Sequence, residues 1–226
     1  MSARRAAAKR PAAPTVLVTG FAPFGGEDVN PSWEAVRALQ DRRVGGHRIE
    51  TRCLPVEFGA ANAALRRAIA DTSPVLVLCI GQAGGRGAIS IERVAINVDD
   101  ARIPDAAGRS PIDAPIVAGG PAAYFSTLPI KRLRAALAKA GIPAEVSQTA
   151  GTYVCNHVFY GLMHALKRRP AVRGGFVHIP YSPEQVRRHP DAPSLATANV
   201  VDALRILLRE SLKHVDDLPL PMDAMH

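Results

Sequence analysis

Three side chains far apart in the chain, Cys155, His178 and Glu92, are of the types that together run nucleophilic catalysis. A thiol attacks a carbonyl well when a base within hydrogen-bond reach takes its proton, and the base works best when an acceptor orients its ring. Cys155 lies in Ala150-Gly-Thr-Tyr-Val-Cys-Asn-His157, where a glycine-containing loop hands over to an amphipathic helix bearing Val158, Phe159, Leu162, Met163 and Leu166. Its sulfur is therefore expected near a first helical turn. Unpaired N–H groups and the positive end of the helix dipole are expected to lower the thiol pKa there, and the same N–H groups can receive an oxyanion. His178 ends the apolar run Gly175-Phe-Val-His-Ile-Pro180, and open α/β sheets place their sites beyond strand ends. Glu92 interrupts the apolar alternation of residues 89–98, where a carboxylate is costly without a partner.

Read singly, each residue has a plainer account. Cys155 could be a buried packing thiol, His178 a hydrogen-bonded histidine at a strand end, and Glu92 the partner of Arg93. Cys79, inside Val75-Leu-Val-Leu-Cys-Ile80, reads as core, and Cys53 is also embedded in a strand. Three cysteines without paired spacing argue against a disulfide framework and against a Cys-x-x-Cys metal or redox site. His157 and His164 follow Cys155 on the helix and read as solvated or packing residues, while His189, His214 and His226 have no informative context. Gly81-Gln-Ala-Gly-Gly-Arg-Gly87 follows a strand but matches neither a dinucleotide fingerprint nor a P-loop. Neither a Gly-x-Ser-x-Gly elbow nor a His-Glu-x-x-His site is present, which removes the usual support for serine-hydrolase and zinc-peptidase chemistry.

The elements that must position these residues alternate between strand and helix. Strands are predicted near 16–19, 48–56, 75–80, 144–148 and 175–179, and helices near 32–39, 60–70, 130–140, 156–167 and 194–212. Residues 89–98 read as a twisted strand with a bulge or bend at Glu92-Arg93, and 104–122 as a covering loop. This order implies a three-layer α/β/α sandwich with a mostly parallel sheet. The 226 residues suit one domain over 15–215, with a basic disordered arm at 1–14 and a loose tail at 216–226.

Composition is that of an ordinary folded protein, with 47% hydrophobic and 21% charged residues. Net charge is +8, and removing the four cations Arg4, Arg5, Lys9 and Arg10 of the arm leaves +4 on the body. Without aromatic residues interleaved among the basic pairs, no nucleic-acid partner is expected. Apolar runs are of strand length and no signal-like stretch follows the basic start, so no membrane segment and a cytoplasmic location are expected.

Taken together, the segments resemble the pyroglutamyl peptidase I (pyrrolidone-carboxylate peptidase) family. The resemblance runs over roughly residues 15–212, through Thr19-Gly-Phe-Ala-Pro-Phe-Gly-Gly26, Asn30-Pro-Ser-Trp-Glu34, Leu54-Pro-Val56, Gly81-Gln-Ala-Gly-Gly-Arg86 and Glu92-Arg-Val-Ala-Ile-Asn97. It continues through Asp100-Ala-Arg-Ile-Pro-Asp105, Ala150-Gly-Thr-Tyr-Val-Cys-Asn156, Phe176-Val-His-Ile-Pro180 and Pro193-Ser-Leu195. It implies a cysteine peptidase that removes an N-terminal pyroglutamyl residue from peptides through a Glu92, Cys155, His178 triad, with neither metal nor cofactor. It further implies that Phe21 and Phe24 flank the lactam ring, that Ile103, Tyr153 and Val154 complete the pocket, and that Gln82 lies near the lactam amide. Arg102 matches an arginine that helps polarise the scissile carbonyl or supports the site. Position 153 is often Phe in relatives, so Tyr153 adds a hydroxyl at the pocket edge. A homotetramer is implied as well. Two rivals stand beside this reading: a nucleoside-phosphorylase-like transferase, which would need phosphate and no thiol, and a binding module that acts through the basic arm.

Overall fold

The computed structural model describes residues 13–219 and 221. The chain opens with β1 (Thr15–Phe21), α1 (Pro31–Arg37), the short β2 (Arg43–Val44), β3 (His47–Leu54), α2 (Ala60–Thr72) and β4 (Leu76–Gln82). It continues with β5 (Ile89–Glu92), β6 (Val94–Ile96), β7 (Ala123–Phe125), α3 (Ile130–Lys139), β8 (Ala144–Ser147), α4 (Val154–Leu166), β9 (Arg173–Ile179) and α5 (Thr197–Lys213). A 3₁₀ turn at Gln185–Arg187 lies between the last strand and helix.

Seven strands form the central sheet in the order β2-β3-β1-β4-β9-β5-β8. Pairings β1/β3, β1/β4, β4/β9 and β5/β8 are parallel, whereas β2/β3 and β5/β9 are antiparallel. Its central strands read as nearly unbroken apolar runs because both faces are covered. Residues of α1, α3 and α5 such as Val36, Leu133 and Leu204 pack on one face, and residues of α2 and α4 such as Leu65 and Phe159 pack on the other. The expected α/β/α sandwich is therefore present, with a largely parallel sheet.

One segment departs from expectation. Residues 89–98 were expected to form one bent strand, but β5 belongs to the central sheet and β6 pairs with β7 in a separate two-stranded sheet. Arg93 is the corner, its N–H donating to Ser147 C=O and its C=O accepting from Ser126 N–H, both at 2.9 Å. The phase change at Glu92-Arg93 thus marks a change of sheet. Residues 97–122 form the irregular covering segment, closed by hydrogen bonds such as Ala106 N–H to Val56 C=O at 3.0 Å. Asp217, within the stretch read as a tail, accepts from the Lys131 and Arg132 N–H groups at 3.1 and 2.9 Å and so caps α3. Most of the basic arm (residues 1–12) and residues 220 and 222–226, including His226, lie outside the described residues. Among the described residues, no helix is long and apolar enough to cross a membrane, and no group of three or more His, Cys, Asp or Glu is arranged to hold a metal ion.

Candidate active site

Strand alternation brings two of the three candidates together. In the β5/β9 pairing Ser90 stands opposite His178, so Glu92, two residues along, shares its face and falls diagonally beside it. Glu92 Oε1 lies 2.7 Å from His178 Nδ1, and both residues are buried. The same oxygen accepts from Arg86 Nη1 at 2.7 Å, while Oε2 has no protein partner. Arg86 also donates to Thr149 C=O at 3.0 Å. The partner of Glu92 is therefore His178 together with Arg86, not the neighbouring Arg93, which the corner at the end of β5 carries away. A carboxylate at 0% exposure needs such compensation. With Nδ1 committed to Glu92, Nε2 is the ring nitrogen left to serve a thiol.

Cys155 is the second residue of α4 and is half-buried. The first intrahelical bond runs from His157 N–H to Tyr153 C=O at 3.0 Å, so the N–H groups of Val154, Cys155 and Asn156 precede it. Asn156 fixes this turn in place. Its Oδ1 accepts from Ile96 N–H at 3.0 Å and its Nδ2 donates to the carbonyls of Ile96 and Val98 at 2.9 and 3.0 Å. Gly81 supplies the link between thiol and imidazole. It is the β4 residue opposite His178, and a Cβ there would fall 2.8 Å from Cys155 Sγ and 2.8 Å from the Phe176 ring. Cys155 Sγ therefore rests over the residue that neighbours His178 across the sheet.

The proximity of that sulfur carries a prediction. Gly81→Ala must push the thiol or the Phe176 ring aside, at a stability cost of about 1–3 kcal/mol for overpacking. Displacing a nucleophile by about 1 Å is expected to cost roughly 100-fold in kcat. Steady-state kinetics on the folded variant checks this, and a variant with wild-type kcat shows that the close approach at Gly81 does not set the geometry.

The electrostatics differ from expectation at the thiol. Burial, then the negative charge of Glu92, pushes Cys155 up to about 12, with Arg86 acting in the opposite sense. The first-turn position predicts a lowered thiol pKa, whereas loss of solvent around the sulfur acts in the opposite direction. Burial also lowers the pKa of His178 below its ordinary value, against the opposing pull of Glu92. Both groups thus rest neutral at physiological pH.

A cavity of about 300 Å³ opens beside Cys155 and is lined by Phe21, Phe24, Gln82, Arg102, Ile103, Tyr153 and Val154, all of them named from the sequence. Phe21 is buried at the end of β1, its N–H donating to Ser32 Oγ at 3.0 Å. Phe24 follows, and Gly25 and Gly26 at φ 68° and 79° turn the chain back immediately after it. The Tyr153 ring stacks at a tilt on Phe24 and edge-on to Phe58, and its hydroxyl donates to Pro104 C=O at 3.0 Å. Arg102 and Ile103 are exposed at the rim, and Val154 is buried. Glu27, Val29, Asn30, Val56 and Gly84 line the cavity as well; Asn30, Val56 and Gly84 fall in blocks that carry the resemblance, but none of the five is singled out for the site from the sequence.

Three other histidines, His157, His164 and His189, are engaged elsewhere. His157 is buried rather than solvated, with Nδ1 2.8 Å from Asp99 Oδ2 and Nε2 accepting from Gly59 N–H at 2.9 Å. His164 Nδ1 is 2.9 Å from the Tyr124 hydroxyl, and His189 Nε2 is 2.8 Å from Glu27 Oε1. Cys79 is fully buried, and Cys53 is exposed on β3.

Proteins similar to this chain in sequence and in fold point to one family. The pyroglutamyl peptidase family model matches residues 14–214. The chain belongs to the pyroglutamyl peptidase family. A pyrrolidone-carboxylate peptidase of Yersinia pestis (strain Pestoides F) is 58% identical over 212 residues, covering 93% of this chain and 99% of that protein. The crystal structure of pyroglutamyl peptidase I from Bacillus amyloliquefaciens superposes with a TM-score of 0.90 at 50% identity, over 92% of this chain and all of that one. The pyrrolidone carboxyl peptidase of Thermococcus litoralis gives 0.89 at 35% identity, over 92% and 100% of the two chains. As a pyroglutamyl peptidase, the protein is a hydrolase and a peptidase.

Proposed function

We propose that this pyroglutamyl peptidase acts as a cysteine exopeptidase, with Cys155 as nucleophile, His178 as general base and acid, and Glu92 orienting the imidazole. The observation that carries the reading is the 2.7 Å contact between His178 Nδ1 and Glu92 Oε1, next to a thiol seated over Gly81 at the mouth of an aromatic cavity. Pyroglutamate carries no free α-amine, so a neutral slot walled by Phe21, Phe24, Ile103, Tyr153 and Val154 suits its flat lactam better than an ammonium-binding site would. Gln82 reads the lactam carbonyl, and Arg102 at the rim supports the scissile carbonyl.

In the reaction, His178 Nε2 takes the thiol proton as Cys155 Sγ bonds to the carbonyl carbon. The oxyanion is received by the first-turn N–H of Cys155. The imidazolium returns its proton to the departing amine as the C–N bond breaks, leaving a thioester on Cys155. Water, deprotonated by His178, then attacks the thioester, the C–S bond breaks, and the sulfur recovers its proton while free pyroglutamate leaves.

This scheme sets a pH profile. The working form has neutral His178, so kcat/KM falls as pH drops through the histidine pKa. Burial lowers that pKa, which places the acid limb below the ordinary value of 6.5. The thiol, raised to about 12, adds no alkaline rise between neutrality and that value. A resting thiolate–imidazolium pair would instead give a rise governed by a depressed cysteine pKa. Release of a chromophore from a pyroglutamyl anilide across pH 5 to 9, in phosphate-free buffer, tests both function and profile. No turnover, or turnover that requires phosphate and survives thiol alkylation, would contradict the function. An acid limb above the ordinary histidine value would contradict the resting state.

A further inference from the structure

Gln82 has one role in the reading above, as the amide that recognises the lactam, and that role depends on which end of the amide faces the cavity. A primary amide presents a carbonyl oxygen that only accepts and an NH₂ that only donates. The lactam carbonyl of a pyroglutamyl ring needs the NH₂. Reversal of Gln82 would set carbonyl against carbonyl.

The orientation follows from a chain of contacts that starts at a backbone group. Ser182 N–H can only donate, and the atom facing it at 3.2 Å is Gln185 Oε1. That fixes the Gln185 NH₂ on the other side, where it donates to Gln82 Oε1 at 3.1 Å. The Gln82 carbonyl is thereby spent, and its NH₂ is the end available to a ligand in the cavity that Gln82 lines. Gln185 is itself buried in the 3₁₀ turn after β9. The turn is pinned to the loop that follows Phe24. His189 holds Glu27 at 2.8 Å, and Arg188 bonds Asp28 at 3.0 Å and the Gly26 carbonyl. Gln185 also helps, after His189, to keep the Glu27 carboxyl below its ordinary pKa, so its donor side faces negative charge as well as the Gln82 carbonyl.

We infer that Gln185 is a positioning residue for substrate selection: it polarises the Gln82 side chain so that a donor faces the lactam oxygen. This rests on the proposed function, since it acts through the ring-reading role of Gln82. Gln185 touches no reacting atom. Glu27, His189 and Arg188 hold the turn that carries it.

The discriminating variant is Gln185→Glu. It keeps the shape and the acceptor for Ser182 N–H, but it sets a second carboxylate beside Glu27 and has no proton to give Gln82 Oε1. Its carboxylate instead attracts the Gln82 NH₂, which turns the carbonyl into the cavity. A charge-assisted bond that favours the wrong orientation is expected to lower kcat/KM on a pyroglutamyl anilide roughly 10- to 100-fold. Gln185→Met frees the amide to rotate, also leaves Ser182 N–H without its acceptor, and is expected to cost roughly 2- to 5-fold. In a Gln82→Ala background both losses should shrink to what the missing Ser182 contact (Met) or the repulsion of Glu27 (Glu) costs by itself, because no amide remains to be oriented. Competitive inhibition by 2-pyrrolidinone, the bare lactam, should weaken in the same order, Gln185→Glu more than Gln185→Met. Equal losses with and without Gln82, or a Gln185→Glu protein as active as wild type, would overturn the inference and leave Gln185 as a support of the turn. An inactive wild type would overturn the function first, and is recorded before any variant is compared.

Discussion

Cys155→Ala is expected to lose roughly 10⁴- to 10⁶-fold in kcat on a pyroglutamyl anilide, the scale on which triad nucleophiles fail when removed. Only this thiol combines partial exposure, a first helical turn and a cavity at its side. Cys53 lies on β3, away from the cavity lining, and Cys53→Ala should be nearly silent. Cys79 shares the face of Gly81 but is wholly buried, with its own thiol pushed up to about 12, so Cys79→Ala should cost about 1 kcal/mol of stability and little activity. Circular dichroism establishes that each variant is folded before rates are compared. A folded Cys155→Ala protein that turns over near the wild-type rate would remove the nucleophile assignment.

His178→Ala should be almost as damaging, with a loss of at least about 10³-fold in kcat, because it removes both the acceptor of the thiol proton and the donor to the leaving amine. Glu92→Gln should cost far less, about 10- to 100-fold. The two bonds of Glu92 share Oε1, and Oε2 has no protein partner. A glutamine can therefore keep its carbonyl toward His178 and place its NH₂ where Oε2 was. The tautomer of His178 survives, and what is lost is the charge that steadies the imidazolium and balances Arg86. Steady-state rates for the two variants test the order. His157 offers no substitute base, since both its nitrogens are engaged by Asp99 and Gly59. Activity retained in His178→Ala, or a Glu92→Gln loss as deep as that of His178→Ala, would contradict this division of roles.

Much of this arrangement is legible in the chain because it follows from local pattern. The apolar run before Gly20, the amphipathic stretch after Cys155 and the strand ending at His178 each identify an element by its periodicity. The resemblance implies seven further residues around the substrate, and the same seven line one cavity beside Cys155. What could not be read depends on contacts between elements. The change of sheet at Arg93 is decided by Ser147 and Ser126, more than thirty residues downstream, while the sequence shows only a phase break. Arg86 sits in a glycine-rich loop that signals close backbone approach, and nothing in its spacing tells that the guanidinium turns back onto Glu92. The burial that raises the Cys155 thiol is likewise invisible in the sequence: helix position is local, but burial is a property of the assembled site. Gln185 lies in a turn without periodicity, and its role exists only through Gln82, a hundred residues earlier in the chain.

The most direct test of the account is to look for the thioester itself. An activated pyroglutamyl ester, whose acylation outruns hydrolysis of the acyl-enzyme, should release a burst of leaving group equal to the enzyme present. Acid quenching followed by peptide mass mapping should then find one pyroglutamyl group on the peptide that holds Cys155, absent from the Cys155→Ala protein. A stoichiometric adduct on any other residue, or an undiminished burst in Cys155→Ala, would contradict the account.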